Sequence, residues 1–177
     1  MTDAGEFEAF VRRHQDMVYA TALRLLANPA EAEDVSQNVF LKAFQRFDHL
    51  HHSETAAGWL KTVTRNACLN HLTRYRARWR LFSEIDTEGS GRLENAVAAA
   101  PSAAESLEQA DERERLMLGL RALPAHQRVS LVLYHFEELS YQDIAEALHV
   151  SVAKVKTDIH RARLALRTYL GAVDARP

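Results

Sequence analysis

Amide and guanidinium side chains in the middle of the chain have the chemistry of nucleic-acid contact. Between Trp59 and Arg80 there are six basic residues and no acidic residue. Four polar side chains of this segment recur at spacings of one and four residues: Arg65, Asn66, Asn70 and Arg74. Arginine binds phosphates and guanine, and asparagine binds adenine edges. The segment therefore predicts a DNA- or RNA-binding helix, with a solvated basic helix as the alternative interpretation.

A second basic segment lies near the C-terminal end of the sequence. Ser140 and Asp143 have the spacing of a capping box, and Ser151 is placed to cap the next helix. From Ser151 to Leu170 there are five Lys or Arg residues against one acid, Asp158. Two helices joined by a tight turn, the second longer and basic, predict a helix-turn-helix. An ordinary helical hairpin with a solvated basic face is the alternative.

Residues able to bind metal or perform catalysis do not form a recognisable motif. The three histidines His49, His51 and His52 suggest zinc, but the other candidate ligands are only Cys68 and His71. We therefore prefer solvated loop histidines. The sequence contains no glycine-rich phosphate loop and no nucleophile motif. We expect no enzyme activity, small-molecule substrate, cofactor or metal.

Composition predicts a cytoplasmic globular protein whose charges are segregated. Of 177 residues, 47% are hydrophobic and 26% charged, and there is a single cysteine. No apolar run is long enough to insert into a membrane, and the N-terminus lacks a secretion signal. The net charge is -2, yet residues 81–115 hold nine acids between the two basic segments. A polyanion would respond to the local basic segments rather than to the net charge.

Apolar residues at helical spacing predict an all-α fold of two small helical domains joined by a flexible acidic linker. The predicted parts are a first domain over 1–80, a linker over 81–110 and a helix-turn-helix domain over 111–177. The second helix is predicted over Ala30–Phe47, with Phe44 and Phe47 turned inward. A polar loop is predicted to follow it.

Three segments, in order, resemble a known family. They are EAEDVSQNVFLKAF, GWLKTVTRN and LPAHQRVSLVLYHFEELSYQDIAEALHVSVAKVKTDIHRARLAL. Together they resemble the bacterial extracytoplasmic-function (ECF) sigma factors of the sigma-70 family. The resemblance implies a non-enzymatic subunit that binds the clamp helices and flap of core RNA polymerase and directs promoter recognition and melting. It also implies control by an anti-sigma factor, and association with the nucleoid in the holoenzyme.

The resemblance also implies three sets of site residues. Polymerase-binding residues would be Glu33, Asp34, Gln37, Phe40 and Leu41. Residues contacting the minus-ten element, where a base is flipped from the stack, would be Arg65, Asn66, Asn70, Arg74, Leu50 and His52. Residues contacting the minus-thirty-five element would be Ser151, Lys154, Lys156, Thr157, His160, Arg161 and Arg163.

Two departures from the family pattern carry structural expectations. His149 stands where the family often has glycine in the turn, which predicts a shifted turn. Asp158 stands at a position that is commonly basic or small, and it would accept from cytosine or repel phosphate. Two alternative functions are a sigma mimic that binds an anti-sigma factor as an adaptor, and a helix-turn-helix repressor.

Overall fold

The structure is a computed structural model that describes residues 4–83 and 107–174, with side-chain surroundings for 4–74 and 108–171. All regular secondary structure within these ranges is helical, which confirms the predicted all-α class. The helices are α1 (Ala4–Leu26), α2 (Pro29–Phe44), α3 (Phe47–Leu50), α4 (Ala56–Ser83), α5 (Leu107–Ala122), α6 (Ala125–His135), α7 (Tyr141–Leu148) and α8 (Val152–Asp174).

The chain divides into two compact units. Unit 1 contains α1 to α4, and unit 2 contains α5 to α8. Most of the predicted acidic linker, residues 84–106, lies outside the described residues. The domain limits at 80, 81, 110 and 111 therefore stay predictions.

The boundary between α1 and α2 is formed by side-chain capping and backbone geometry. Ala27 adopts a left-handed conformation, with φ of 55°, and ends α1. The Asn28 side chain then accepts hydrogen bonds from the backbone N–H groups of Ala30 and Glu31, at 3.0 and 3.3 Å. Pro29 occupies the first turn of α2, where its missing N–H costs nothing. These caps fix where α2 starts.

The core of unit 1 lies where α1 packs against α2 and α4, and where α2 packs against α4. Its fully buried side chains are Val18, Ala22, Leu25, Ala32, Val39, Ala43, Leu60, Thr64 and Cys68. Thr64 is satisfied there by donating to the Leu60 carbonyl at 2.7 Å. Burial of one face of α2 and α4 leaves their other faces free to meet partners.

Two expectations about unit 1 are wrong in detail. Helix α2 ends at Phe44 rather than at Phe47, and Phe47–Leu50 form the separate short helix α3, which takes in the start of the predicted polar loop and buries Phe47 and Leu50. Phe44, predicted to turn inward, is 50% exposed, although its ring contacts Phe7 with centroids 4.9 Å apart. Phe47 is buried as predicted, 5.2 Å from the ring of Phe7.

Unit 2 is organised by α8, against which α5, α6 and α7 all pack. The predicted capping box at the start of α7 is present: Ser140 Oγ accepts from the Asp143 N–H at 3.1 Å, and the Asp143 carboxylate accepts from the Ser140 N–H at 3.3 Å. Ser151 caps α8 by accepting from the Lys154 N–H at 3.2 Å. Pro124 precedes α6 as its N-cap rather than lying inside its first turn. The fully buried apolar side chains of this unit are Leu120, Val132, Leu133, Ile144, Val155, Ile159 and Ala162.

Candidate nucleic-acid and protein interfaces

The candidate protein-binding residues of α2 lie on one face of the helix. Glu33, Gln37, Phe40 and Leu41 fall within about 100° of the helix circumference, with Asp34 at the edge of that sector. The buried residues of α2 point the other way. Leu41 is 62% exposed and Phe40 is half-buried. The face therefore has an apolar centre and a polar side, as a protein interface does.

Phe44 belongs to the same face and was missed because its hydrophobicity suggested the core. It lies three residues after Leu41 and is half exposed. The sequence does contain a signal for this position, namely the helical spacing of Phe44. Steps of four, four and three residues connect Glu33, Gln37, Leu41 and Phe44, so all four lie on one face of the helix. That register places Phe44 among polar, exposed residues and not with Val39 and Ala43.

The amide and arginine residues of α4 form an exposed row. Asn66, Asn70 and Arg74 are spaced by four residues and are all exposed, while Arg65 is half-buried beside them. Side chains four residues apart stand one above another on a helix surface. The row can therefore follow a single nucleic-acid strand, with amides for base edges and arginine for phosphate.

The two predicted DNA contacts that precede α4, Leu50 and His52, differ in their exposure to solvent. Leu50 is only 7% exposed, so its side chain lies in the core and is not accessible to DNA in this conformation. His52 is exposed, and the centroid of its ring lies 3.7 Å from the centroid of the His51 ring. His51 in turn donates from Nδ1 to the Phe47 carbonyl at 2.8 Å. The described residues contain no group of three metal-ligating side chains.

The solvent-facing side of α8 consists of an exposed ridge between two basic edges. Thr157 and His160 lie on the ridge with Leu164, which is 50% exposed and was not predicted as a contact. One edge carries Lys156, Arg163 and Arg167, and the other carries Lys154 and Arg161. A helix of this kind can place its ridge in a groove while its edges meet the two phosphate backbones.

On one basic edge, Lys154 is bound within the protein. Its ammonium lies 2.9 and 3.2 Å from the two carboxylate oxygens of Asp158, which is 3% exposed. His126 Nε2 approaches the same carboxylate at 3.8 Å. The expectation that Asp158 would contact cytosine or repel phosphate is therefore wrong, because its side chain points into the unit.

On the other basic edge, two cations lie over aromatic rings. Lys156 Nζ is 5.5 Å from the ring centroid of Tyr141, and the Arg163 guanidinium is 5.5 Å from that of Tyr134. Arg163 also donates from Nε and Nη2 to His135 Nε2, at 3.1 and 2.9 Å. Burial lowers the pKa of His135, and the charge of Arg163 lowers it further. Neutral His135 is the form that can accept from the guanidinium.

The turn before α8 is not shifted by the replacement of glycine. His149 adopts the left-handed conformation, with φ of 55° and ψ of 46°, and its N–H bonds to the Ala145 and Glu146 carbonyls. The expected displacement was therefore wrong. A non-glycine residue in this conformation costs roughly 1–2 kcal/mol, which the packing of α7 on α8 has to offset.

Comparison with known proteins supports the same division into two functional units. The family model for sigma-70 region 2 matches residues 10–78, and that for sigma-70 region 4 matches residues 113–166. The chain is 33% identical to an RNA polymerase sigma-E factor of Streptomyces avermitilis, over 96% of this chain and 87% of that one. It is 29% identical to the ECF RNA polymerase sigma factor SigW of Bacillus subtilis, over 95% and 90%.

A solved structure is also similar. The sigma factor RpoE from Bartonella quintana, crystallised in complex with the anti-sigma factor NepR, matches 93% of this chain and 96% of its own. The TM-score is 0.56 and the sequence identity 26%. Together with the ordered motifs on α2, α4 and α7–α8, these similarities show that the chain belongs to the ECF group of the sigma-70 family of RNA polymerase sigma factors.

Proposed function

We propose that this chain binds core RNA polymerase as a sigma factor and directs promoter recognition, DNA melting and transcription initiation. The observation that carries the proposal is the exposure of the candidate residues: with the exception of Leu50, each set lies on a solvent-facing side of its helix. The chain shares its family with transcription initiation factors that are not enzymes, which further supports the proposal that it has no catalytic residues of its own.

Unit 1 is proposed to dock on the polymerase through α2. Leu41 and Phe44 are large, neighbouring apolar side chains that solvent reaches, and burying them against a partner would be favourable. Glu33, Asp34 and Gln37 would border them on the N-terminal side as part of a polar rim. We assign this face to the clamp helices of core polymerase.

The row on α4 is proposed to bind the non-template strand of the minus-ten element. Asn66 would contact the flipped base, with Arg65, Asn70 and Arg74 on neighbouring bases or phosphates and His52 at the margin. Base flipping costs a few kcal/mol, which contacts to the extruded base must offset. Buried Leu50 is left out of this proposed set.

Unit 2 is proposed to place α8 in the major groove of the minus-thirty-five element. The ridge residues Thr157 and His160 would face base edges, and Lys156, Arg161 and Arg163 would contact the backbones. Ser151 would meet a phosphate at the helix N-terminus. Lys154 is the weakest member of the predicted set, because Asp158 already holds its ammonium.

We further propose that an anti-sigma factor controls this protein and that it works in the cytoplasm, at the nucleoid when assembled in holoenzyme. The support is the similarity to a sigma factor crystallised with an anti-sigma factor. In the part of the chain that the structure describes, no helix is long and apolar enough to cross a membrane.

A selection experiment tests the proposal. Core RNA polymerase would be mixed with this protein and a random double-stranded DNA library, and bound DNA would be sequenced. We expect enrichment of two spaced sequence elements only when the protein is present. Equal enrichment with core polymerase alone would contradict the proposal.

A further inference from the structure

Two tyrosines from different helices of unit 2 form a stacked pair. Tyr134 near the end of α6 and Tyr141 at the start of α7 have ring centroids 4.8 Å apart and ring planes 11° from parallel. A side-chain hydrogen bond with Tyr134 raises the pKa of Tyr141, and desolvation raises it further. Both rings are partly exposed, so they are not simply core residues. The pair links α6 and α7 beside α8.

A cation lies over each ring of this pair. Lys156 lies over Tyr141 and Arg163 lies over Tyr134, each 5.5 Å from the ring centroid. Both distances are within the range of a cation–π interaction. The two cations are seven residues apart on α8, which is about 10 Å along the helix. We call Lys156, Tyr141, Tyr134 and Arg163 the cation–tyrosine row.

The cation–tyrosine row restrains the Lys156 and Arg163 side chains but leaves N–H groups on both that can donate to phosphate. A ring face attracts an ammonium through its quadrupole and occupies no particular N–H, so Lys156 keeps its donors. Arg163 gives two N–H groups to His135 and retains the others of its five. The opposite edge of α8 differs, since both carboxylate oxygens of Asp158 accept from Lys154.

Restraint matters because long basic side chains lose rotamer freedom on binding. Ordering a side chain of this kind costs about 0.5–1.5 kcal/mol at an interface. A lysine held against a ring in the free protein has already lost part of that freedom. Its contact with a phosphate is then stronger than that of an unrestrained lysine.

We propose that Tyr134 and Tyr141 are positioning residues for DNA binding: their stacked rings hold Lys156 and Arg163 at a fixed separation and direction on one edge of α8, ready for phosphates of one strand. The inference rests on the proposed function, since it needs this edge of α8 to face DNA. It adds two residues that do not themselves touch DNA.

A double-mutant cycle in the assembled holoenzyme tests the inference. The probe is a promoter duplex selected with the wild-type protein, and the measured quantity is the dissociation constant of the closed complex. We expect Tyr141→Leu to weaken binding about threefold, because DNA binding must then order the Lys156 side chain as well. In a Lys156→Gln background, Tyr141→Leu should have a smaller effect, namely the part that passes through Tyr134 to Arg163. Tyr141→Phe keeps the ring and should bind as the wild type does.

Arg161 provides the matched control, because it lies on the opposite basic edge. The effects of Tyr141→Leu and Arg161→Gln should multiply. If Tyr141→Leu weakens binding equally with and without Lys156, the tyrosine acts only through general packing and the inference is overturned. If Lys156→Gln alone leaves binding unchanged, this edge does not meet DNA, which overturns the proposed contact as well. Thermal unfolding of each variant identifies one that has lost its fold. If Tyr141→Leu has, Tyr134→Leu with and without Arg163→Gln gives the same comparison and decides the outcome.

Discussion

Lys154 and Asp158, one turn apart on α8, form an ion pair with Nζ and Oδ2 2.9 Å apart, and the Asp158 side chain is buried. The pair removes one positive charge from the helix that is proposed to enter the major groove. Lys156, two residues from Lys154, instead has its ammonium over a tyrosine ring. The two lysines look equivalent in the sequence, but in the structure Lys154 binds a carboxylate and Lys156 lies over a ring.

The first prediction is that these lysines contribute unequally to DNA binding. Lys156→Ala should lower the slope of log K against log salt by about one unit, because one phosphate contact is lost. Lys154→Ala should change the slope little, because its charge is already compensated. The measurement is holoenzyme binding to a selected promoter duplex over a range of salt concentrations. A larger effect of Lys154 than of Lys156 would contradict this assignment.

The second prediction concerns the exposed face of α2. Leu41→Asp should weaken binding to core polymerase by at least about tenfold, since a charge would be placed at the apolar centre of the interface. The fold should be retained, because Leu41 is largely exposed. Lys42→Asp is the matched control on the adjacent exposed position. Equal losses of affinity for both variants would place the interface elsewhere.

The third prediction concerns the row on α4. Asn66→Ala should reduce promoter opening, measured with permanganate or a fluorescent base analogue, while binding to core polymerase stays near the wild-type value. Gln15→Ala on α1, an exposed amide outside every proposed interface, serves as the control. Loss of polymerase binding in Asn66→Ala would show that α4 has been assigned the wrong partner.

The fourth prediction concerns the close approach of α5 to α8. A Cβ on Gly119 would lie 2.5 Å from Leu166 Cδ1 and 3.2 Å from Tyr169, so Gly119→Ala should destabilise the protein by about 1–3 kcal/mol despite its better helix propensity. Gly171→Ala on α8 meets nothing within 4 Å and should stabilise by about 0.5–1 kcal/mol. Urea unfolding of the two variants tests the contrast, and equal shifts would contradict it.

The fifth prediction is a pH dependence that originates at His135. Burial and then Arg163 lower its pKa below 6.5, so the unfolded chain binds more protons than the folded chain as the pH falls. The free energy of unfolding should therefore decrease from about pH 7.5 to about pH 5.5, through and below the unfolded pKa. In His135→Gln the free energy of unfolding should decrease less steeply. The remaining decrease would come from His14, because burial also lowers the pKa of that side chain. Parallel curves for both proteins would exclude His135 as a source.

Local signals predicted the helices and their ends well. The Ser140–Asp143 capping box and the Ser151 cap both depend on contacts within four residues, and both are present. The all-α class followed from the same helical periodicity. The short helix α3 was missed because the segment after Phe47 looks like a polar loop, and the burial of Leu50 there depends on packing between helices.

The site residues could be placed on helices from the sequence, but their surroundings could not. Burial of Leu50 and of Asp158, and exposure of Phe44, depend on how neighbouring helices pack. Tyr134 and Tyr141 stack although they belong to different helices. Their contact depends on the conformation of the turn between α6 and α7, which the sequence pattern does not predict. The left-handed conformation of His149 was expected to be unfavourable on local grounds, yet tertiary packing of α7 on α8 retains it.

The most direct test of the central claim is run-off transcription with purified bacterial core RNA polymerase on the selected promoters, with and without this protein. The account predicts transcripts of defined length that appear only when the protein is added and that disappear when either promoter element is scrambled. Absence of transcripts, together with absence of binding to core polymerase, would contradict it.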